Sequence, residues 1–158
     1  MSNDVNACAA YLMVMTLHIP EAIYQQLVGH ARSELPNECV GMLIGSSDGQ
    51  VNEYLPLVNE LKSPTRFLTE PRSMLRAEKR CRELKLQVLA IFHSHPTSQA
   101  IPSKYDVADH YSSDVMCLIL SLTDISTPLR GWWIGEGSFK EGEIMITPAT
   151  KWQDILDE

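Results

Sequence analysis

The run FHSHPTSQAIPSKYD at 92–106 sets two histidines, His93 and His95, one residue apart at the end of an apolar stretch and follows them with a proline. In a β-strand, side chains alternate between faces. His93 and His95 therefore point the same way and Ser94 points the other. Two imidazoles on one face at a strand end can chelate a single cation. Pro96 cannot extend the hydrogen-bonded ladder, so it turns the chain away and leaves such a site open. A lone histidine at this place is ordinarily structural, but a pair at this spacing points to a metal.

Ser103 and Asp106 admit two readings. Ser-x-x-Asp at the start of a helix is a capping pattern, in which side chain and backbone satisfy one another. The same geometry holds both residues on one turn, so a loop folding back can carry Asp106 to the cation as a third ligand. Two neutral imidazoles and one carboxylate suit Zn²⁺ and leave a fourth position for water.

These residues need a scaffold, and the chain supplies an alternation of short apolar runs and helical patterns. Residues 11–19 read as a strand ending at Pro20. Ile23, Leu27, Ala31 and Leu35 then recur every fourth position as the stripe of a helix. CVGMLIG (39–45) reads as a buried strand and QVNEYLPLVN (50–59) as another, with Pro56 marking an edge or a bulge. Pro71 opens a second helix whose apolar stripe is Met74, Ala77, Cys81 and Leu84; its basic residues form a solvated face. The continuous apolar body of QVLAIFHSH (87–95) places it centrally in a sheet. A short helix runs from Ser103 through Tyr111. DVMCLILSL (114–122), PLRGWWIG (128–135) and SFKEGEIMI (138–146) read as three further strands. Trp132 and Trp133 alternate across their strand, which predicts one in the core and one facing solvent. The expectation is an α/β (α+β) domain with a mixed central sheet of about seven strands flanked by about three helices. It spans 15–147, between an N-terminal extension (1–14) and an acidic C-terminal tail (148–158).

Composition narrows the function. At 158 residues the chain is the size of one domain, and its 44% apolar and 21% charged residues are ordinary for a soluble globular protein. A net charge of −7 argues against nucleic acid or an anionic membrane surface as the main partner. Cys8, Cys39, Cys81 and Cys117 are scattered, with no CxxC pair. This reads as a reducing, cytoplasmic setting without a disulfide framework. ACAAYLMVM (7–15) has the length of a signal-peptide core but follows Asp4 and no basic residue, and it lacks a cleavage site.

HSHP, six residues, Ser103, two residues and Asp106 together match the JAMM motif, and the chain resembles the MPN-domain (Mov34/PAD-1) zinc metalloproteases. The resemblance runs from about Met15 to Ile146. It implies an MPN/JAMM-like fold of cytidine-deaminase-like architecture, with one zinc held by His93, His95 and Asp106. ELPNECVGMLIG (34–45) is similar to the segment that supplies the family's catalytic glutamate, here Glu38. On its residues alone, Glu38 is not distinguished from Glu34, Glu53, Glu60 or Glu70. Ser103 would help hold the oxyanion. The implied activity is hydrolysis of a peptide or isopeptide amide. Glu38 would relay the proton from an acidified water to the leaving amine.

The chain looks most like the compact prokaryotic members, which act on ubiquitin-like sulfur-carrier proteins after a C-terminal Gly-Gly. The expected partner is therefore such a carrier, with no nucleic acid and no membrane; the sequence does not fix an oligomeric state. The alternative is a non-catalytic MPN scaffold, a class that typically lacks the ligands. Nucleoside deaminases need HxE with PCxxC, and HxH amidohydrolases need a barrel longer than this chain. Cys39, next to Glu38 but facing the opposite side, reads as core packing and not as a nucleophile.

Overall fold

The computed structural model describes residues 15–149. The proposed extension 1–14 and all but the first two residues of the expected tail lie outside them. The elements are β1 (Leu17–Pro20), α1 (Glu21–Ser33), β2 (Val40–Gly45), β3 (Val51–Leu57), α2 (Pro71–Glu83), β4 (Gln87–His95), α3 (Lys104–Ala108), β5 (Met116–Ser121), β6 (Leu129–Ile134), β7 (Phe139–Gly142) and β8 (Ile144–Thr147). Six strands form one sheet in the order β3-β2-β4-β5-β6-β7, and β1 pairs with β8 in a separate parallel ribbon. The expected mixed sheet is present, with β4 inside it. β3 is an edge strand, so Pro56 withholds no donor from a neighbour on its open side.

Period-two alternation assigns the sheet's two faces. Cys39, Leu43, Ala90, Phe92, Leu118 and Leu120 pack with Ile23, Leu27 and Ala31 of α1 and with the β1 side chains Leu17 and Ile19. Val40, Met42, Ile44 and Ile91 face the other way, against Ala77 and Cys81 of α2. His93 and His95 continue the Ile91 register, so they emerge on the α2 side. Two expected stripe residues fall off the helices: Leu35 lies beyond the end of α1 and Leu84 caps α2, both exposed.

β4 and β5 pair in parallel, so the chain leaving His95 must double back across the sheet before β5 begins. α3 lies on that return. The connection that carries Ser103 and Asp106 is thereby brought back beside the strand end bearing the histidines.

Two expectations are corrected. SFKEGEIMI is not one strand: β7 pairs with β6, and after Gly142 the chain crosses to pair β8 with β1. A Cβ on Gly142 would lie 2.7 Å from both the Met116 Cε and the Trp133 Nε1. The glycine permits the close crossing there, and the described residues form eight strands. Neither tryptophan faces solvent. Trp133 lies in the main core, while Trp132 packs with Ala100, Ile119 and Ile134 and donates its indole N–H to the Ala100 carbonyl at 2.8 Å. Both faces of β6 are covered, one of them by the loop that follows His95.

Candidate active site

Three donor atoms converge at the end of β4. His93 Nε2 and His95 Nε2 lie 3.1 Å apart, and Asp106 Oδ2 lies 3.1 Å from the first and 3.2 Å from the second. All three residues are buried, and they form a group that can hold a metal ion. Metal–donor bonds of about 2.0–2.1 Å in tetrahedral geometry would set ligand atoms roughly 3.3 Å apart, close to this triangle. Three donor atoms aimed at one point at this spacing can share a proton or ligate one cation, and two imidazoles with a carboxylate fit a metal.

The surroundings fix the ligands. The Gln99 carbonyl can only accept, so the His95 Nδ1–H donates to it at 2.7 Å, leaving the Nε2 lone pair free for the cation. Asp106 is held by the start of α3. Its Oδ2 accepts the Ser103 N–H at 2.9 Å, and Ser103 Oγ accepts the Asp106 N–H at 3.2 Å, a complete capping box. Burial alone would raise the Asp106 carboxyl, but His93, the hydrogen bonds to both imidazoles and the Ser103 N–H hold it well below the usual carboxylate range. Burial pushes the His93 imidazole down, with Asp106 opposing. Burial works the same way on His95, but the bonds to Asp106 and to the Gln99 carbonyl outweigh it and raise that ring. Phe67 lies against His93 with ring centroids 4.8 Å apart.

Glu38 joins the site through strand register. β2 and β4 are antiparallel with Val40 opposite His93. Continued by two residues, that pairing sets Glu38 opposite His95 on the same face. The intervening pair holds the register: the Cys39 N–H donates to Ser94 Oγ at 2.8 Å and the Ser94 N–H to the Cys39 carbonyl at 3.2 Å. Ser94, pointing away from the metal ligands, thus ties Glu38's strand to theirs. Burial pushes the Glu38 carboxyl up to about 8; the charge of His95 opposes this and that of Asp106 adds to it. Among the described residues, two buried side-chain polar atoms lack a partner, Glu38 Oε2 and His93 Nδ1, and both belong to this site. Cys39 packs in the core as expected, and burial pushes its thiol up to about 11, far from thiolate chemistry.

A cavity of about 540 Å³ opens beside His93 and Asp106, walled by Phe67, Leu68, Met74, Tyr105 and Val115. The structure brings the expected His93, His95 and Asp106 together, sets Glu38 in register beside them and places Ser103 as the cap that holds Asp106. Sequence reasoning did not single out Ser94, the Gln99 carbonyl or Phe67, whose contacts at the site form only on folding.

The fold and this donor set define a JAB/MPN domain of the JAMM type. Residues 20–135 match the prokaryotic homologs of the JAB domain, and the chain belongs to that family. A protein from Desulfitobacterium hafniense solved in solution is 31% identical, with a TM-score of 0.77 over 86% of this chain and 96% of that one. A JAB1/MPN domain protein from Archaeoglobus fulgidus, 18% identical with a TM-score of 0.53 over 82% of this chain and 98% of its own, shares the fold.

The named relatives include the CysO-cysteine peptidase of Mycobacterium tuberculosis, 27% identical over 84% of this chain and 92% of the relative. They also include a probable TtuB-protein conjugate cleaving protease of Thermus thermophilus, 34% identical over 60% of this chain. The match spans 64% of that relative's length. Relatives named for peptidase activity are the class that the motif implied. Among the described residues no helix is long and apolar enough to cross a membrane.

Proposed function

We propose that this protein is a zinc-dependent amide hydrolase that cleaves after the C-terminal Gly-Gly of a ubiquitin-like or sulfur-carrier protein. The observation that carries the reading is the triangle of His93 Nε2, His95 Nε2 and Asp106 Oδ2, with sides of 3.1–3.2 Å. The buried Glu38 carboxyl, whose Oε2 lacks a partner, accompanies it. Two imidazoles and a carboxylate are the donor set that zinc takes in hydrolases, with a position left open. Bound there, zinc would supply a Lewis acid that polarises the scissile carbonyl and makes water a far stronger acid.

The chain's own residues do the rest. A bound cation's charge would bring the Glu38 carboxyl down from about 8. In its ionised form it takes a proton from the attacking water as the water oxygen bonds to the carbonyl carbon. Ser103 Oγ accepts the Asp106 N–H, so its own hydroxyl hydrogen is free to donate to the developing oxyanion. Glu38 then returns the proton to the amine as the C–N bond breaks, leaving a free amine and a carboxylic acid that loses its remaining proton to solvent. Asp106 and His95 keep the site in register through Ser103 and Gln99. The intact ligand set argues against the scaffold alternative.

The substrate reading draws on the relatives' names, which specify conjugates of CysO and TtuB. A folded backbone cannot present its carbonyl in a buried site. A Gly-Gly tail, without Cβ atoms, can pass a narrow entrance and approach closely. The carrier's folded body would supply affinity away from the reacting bond. The test incubates zinc-loaded protein with carriers bearing C-terminal extensions or adducts after Gly-Gly and reads products by mass spectrometry. Cleavage immediately after the second glycine, strongly impaired when either glycine is bulky, supports the reading. Equal cleavage of unrelated unfolded peptides, with no advantage for a folded carrier, makes it a general peptidase instead.

A further inference from the structure

Asn59 follows β3, buried at 8% exposure, and its side chain makes every hydrogen bond that an amide can make. Its Nδ2 donates to the Glu38 carbonyl at 3.0 Å and to the Arg66 carbonyl at 3.2 Å. Its Oδ1 accepts the N–H groups of Leu61 and Leu68, each at 3.1 Å. Carbonyls on one side and N–H groups on the other leave only one orientation of the amide that satisfies all of them. A single side chain therefore joins the segment 60–69 to the backbone of Glu38. A second link runs beside it, from the Glu38 N–H to the Ser63 carbonyl at 2.8 Å.

That segment is a wall of the site. It supplies Leu61, Arg66, Phe67 and Leu68 to the cavity beside the triad, and Phe67 also lies against His93. We propose that Asn59 is a positioning residue for the hydrolysis, locking this wall to Glu38 so that the cavity and the base hold one geometry. The inference rests on the reading of Glu38 as the base.

The physical reason is accounting of backbone groups. Without the Asn59 donors, the Glu38 carbonyl loses its partner in a buried place and the Arg66 carbonyl in a half-buried one. Water can replace the bond at Arg66, but the Glu38 carbonyl must shift to find another partner. A displacement of the base by a fraction of an ångström leaves binding of the carrier's folded body intact but degrades proton transfer. The signature is a loss in kcat with little change in KM.

Two variants separate positioning of the base from support of the loop. Asn59→Ala removes all the hydrogen bonds. Asn59→Asp keeps acceptors for Leu61 and Leu68 but has no N–H to give Glu38 or Arg66. Each is assayed below its own measured melting transition with metal content determined, so that a merely destabilised protein still turns over at the wild-type rate. Both variants should retain metal and lose about ten- to a hundred-fold in kcat, with KM for a Gly-Gly-terminated carrier nearly unchanged. In a Glu38→Asp background, where the base is already displaced, Asn59→Ala should add little further loss. Wild-type kcat in Asn59→Asp, or an undiminished loss from Asn59→Ala in that background, overturns the proposal and leaves the hydrolase reading standing. Wild-type turnover in Glu38→Gln removes the base assignment, and this inference with it.

Discussion

Asp106 Oδ2 lies 3.1 Å from His93 Nε2 while the same oxygen closes the capping box at the start of α3. The cap therefore does not exclude the proposed ligand role of Asp106, since one geometry serves both. The cap fixes the carboxylate's rotamer, and the parallel crossover sets that carboxylate in front of the histidines. A site built this way is preorganised by hydrogen bonds that also stabilise the fold.

Ser103→Ala tests both roles at once. The loss of the side-chain cap should cost about 1 kcal/mol of stability, measured by urea unfolding. The Ser103 N–H still holds Asp106, so metal content should be retained. If the hydroxyl also donates to the oxyanion, kcat falls by about 10²–10³. A variant that is destabilised but turns over normally would leave Ser103 as a cap alone.

Glu38→Gln keeps the size and burial of the side chain and removes its capacity to take a proton. Zinc content should match that of the wild type, and kcat should fall by about 10²–10⁴. Near-native turnover would mean that another group is the base.

His30 gives a pH dependence separate from the metal site. Its Nδ1 lies 2.6 Å from Tyr54 Oη. Burial pushes its pKa below the ordinary 6.5, with the neighbouring Glu34 carboxylate opposing. Burial also raises the Tyr54 hydroxyl, so it remains protonated and donates to the neutral ring. A folded-state pKa below the unfolded one means that the unfolded chain binds more protons in between. Stability therefore falls as pH drops through 6.5 toward the lowered value. Unfolding at pH values on either side of this window should show a steeper decline for wild type than for His30→Gln at equal metal loading. Parallel declines would show that His30 carries none of it.

The grouping of the proposed metal ligands was legible because its geometry is local. Period two puts His93 and His95 on one face, and a capping pattern marks Asp106. Glu38 was legible only through resemblance, because its place depends on an antiparallel register with a strand far along the chain. Nothing in PNECVG states that register. Asn59 was hidden for the same reason, its four partners being backbone groups that converge only after folding. The tryptophan expectation failed because alternation tells that two side chains part, not that both faces are covered. The break in SFKEGEIMI failed because Gly142 reads as an ordinary strand glycine until Met116 and Trp133 are seen against it.

The most direct measurement is the zinc content of purified wild-type protein beside a folded His93→Ala/His95→Ala variant, each dialysed against the same zinc buffer. The proposed site predicts about one zinc per chain in the wild type and none retained in the variant, with amide hydrolysis lost alongside it. Wild-type zinc content in a double variant of native circular dichroism would contradict the assignment of the metal to this site.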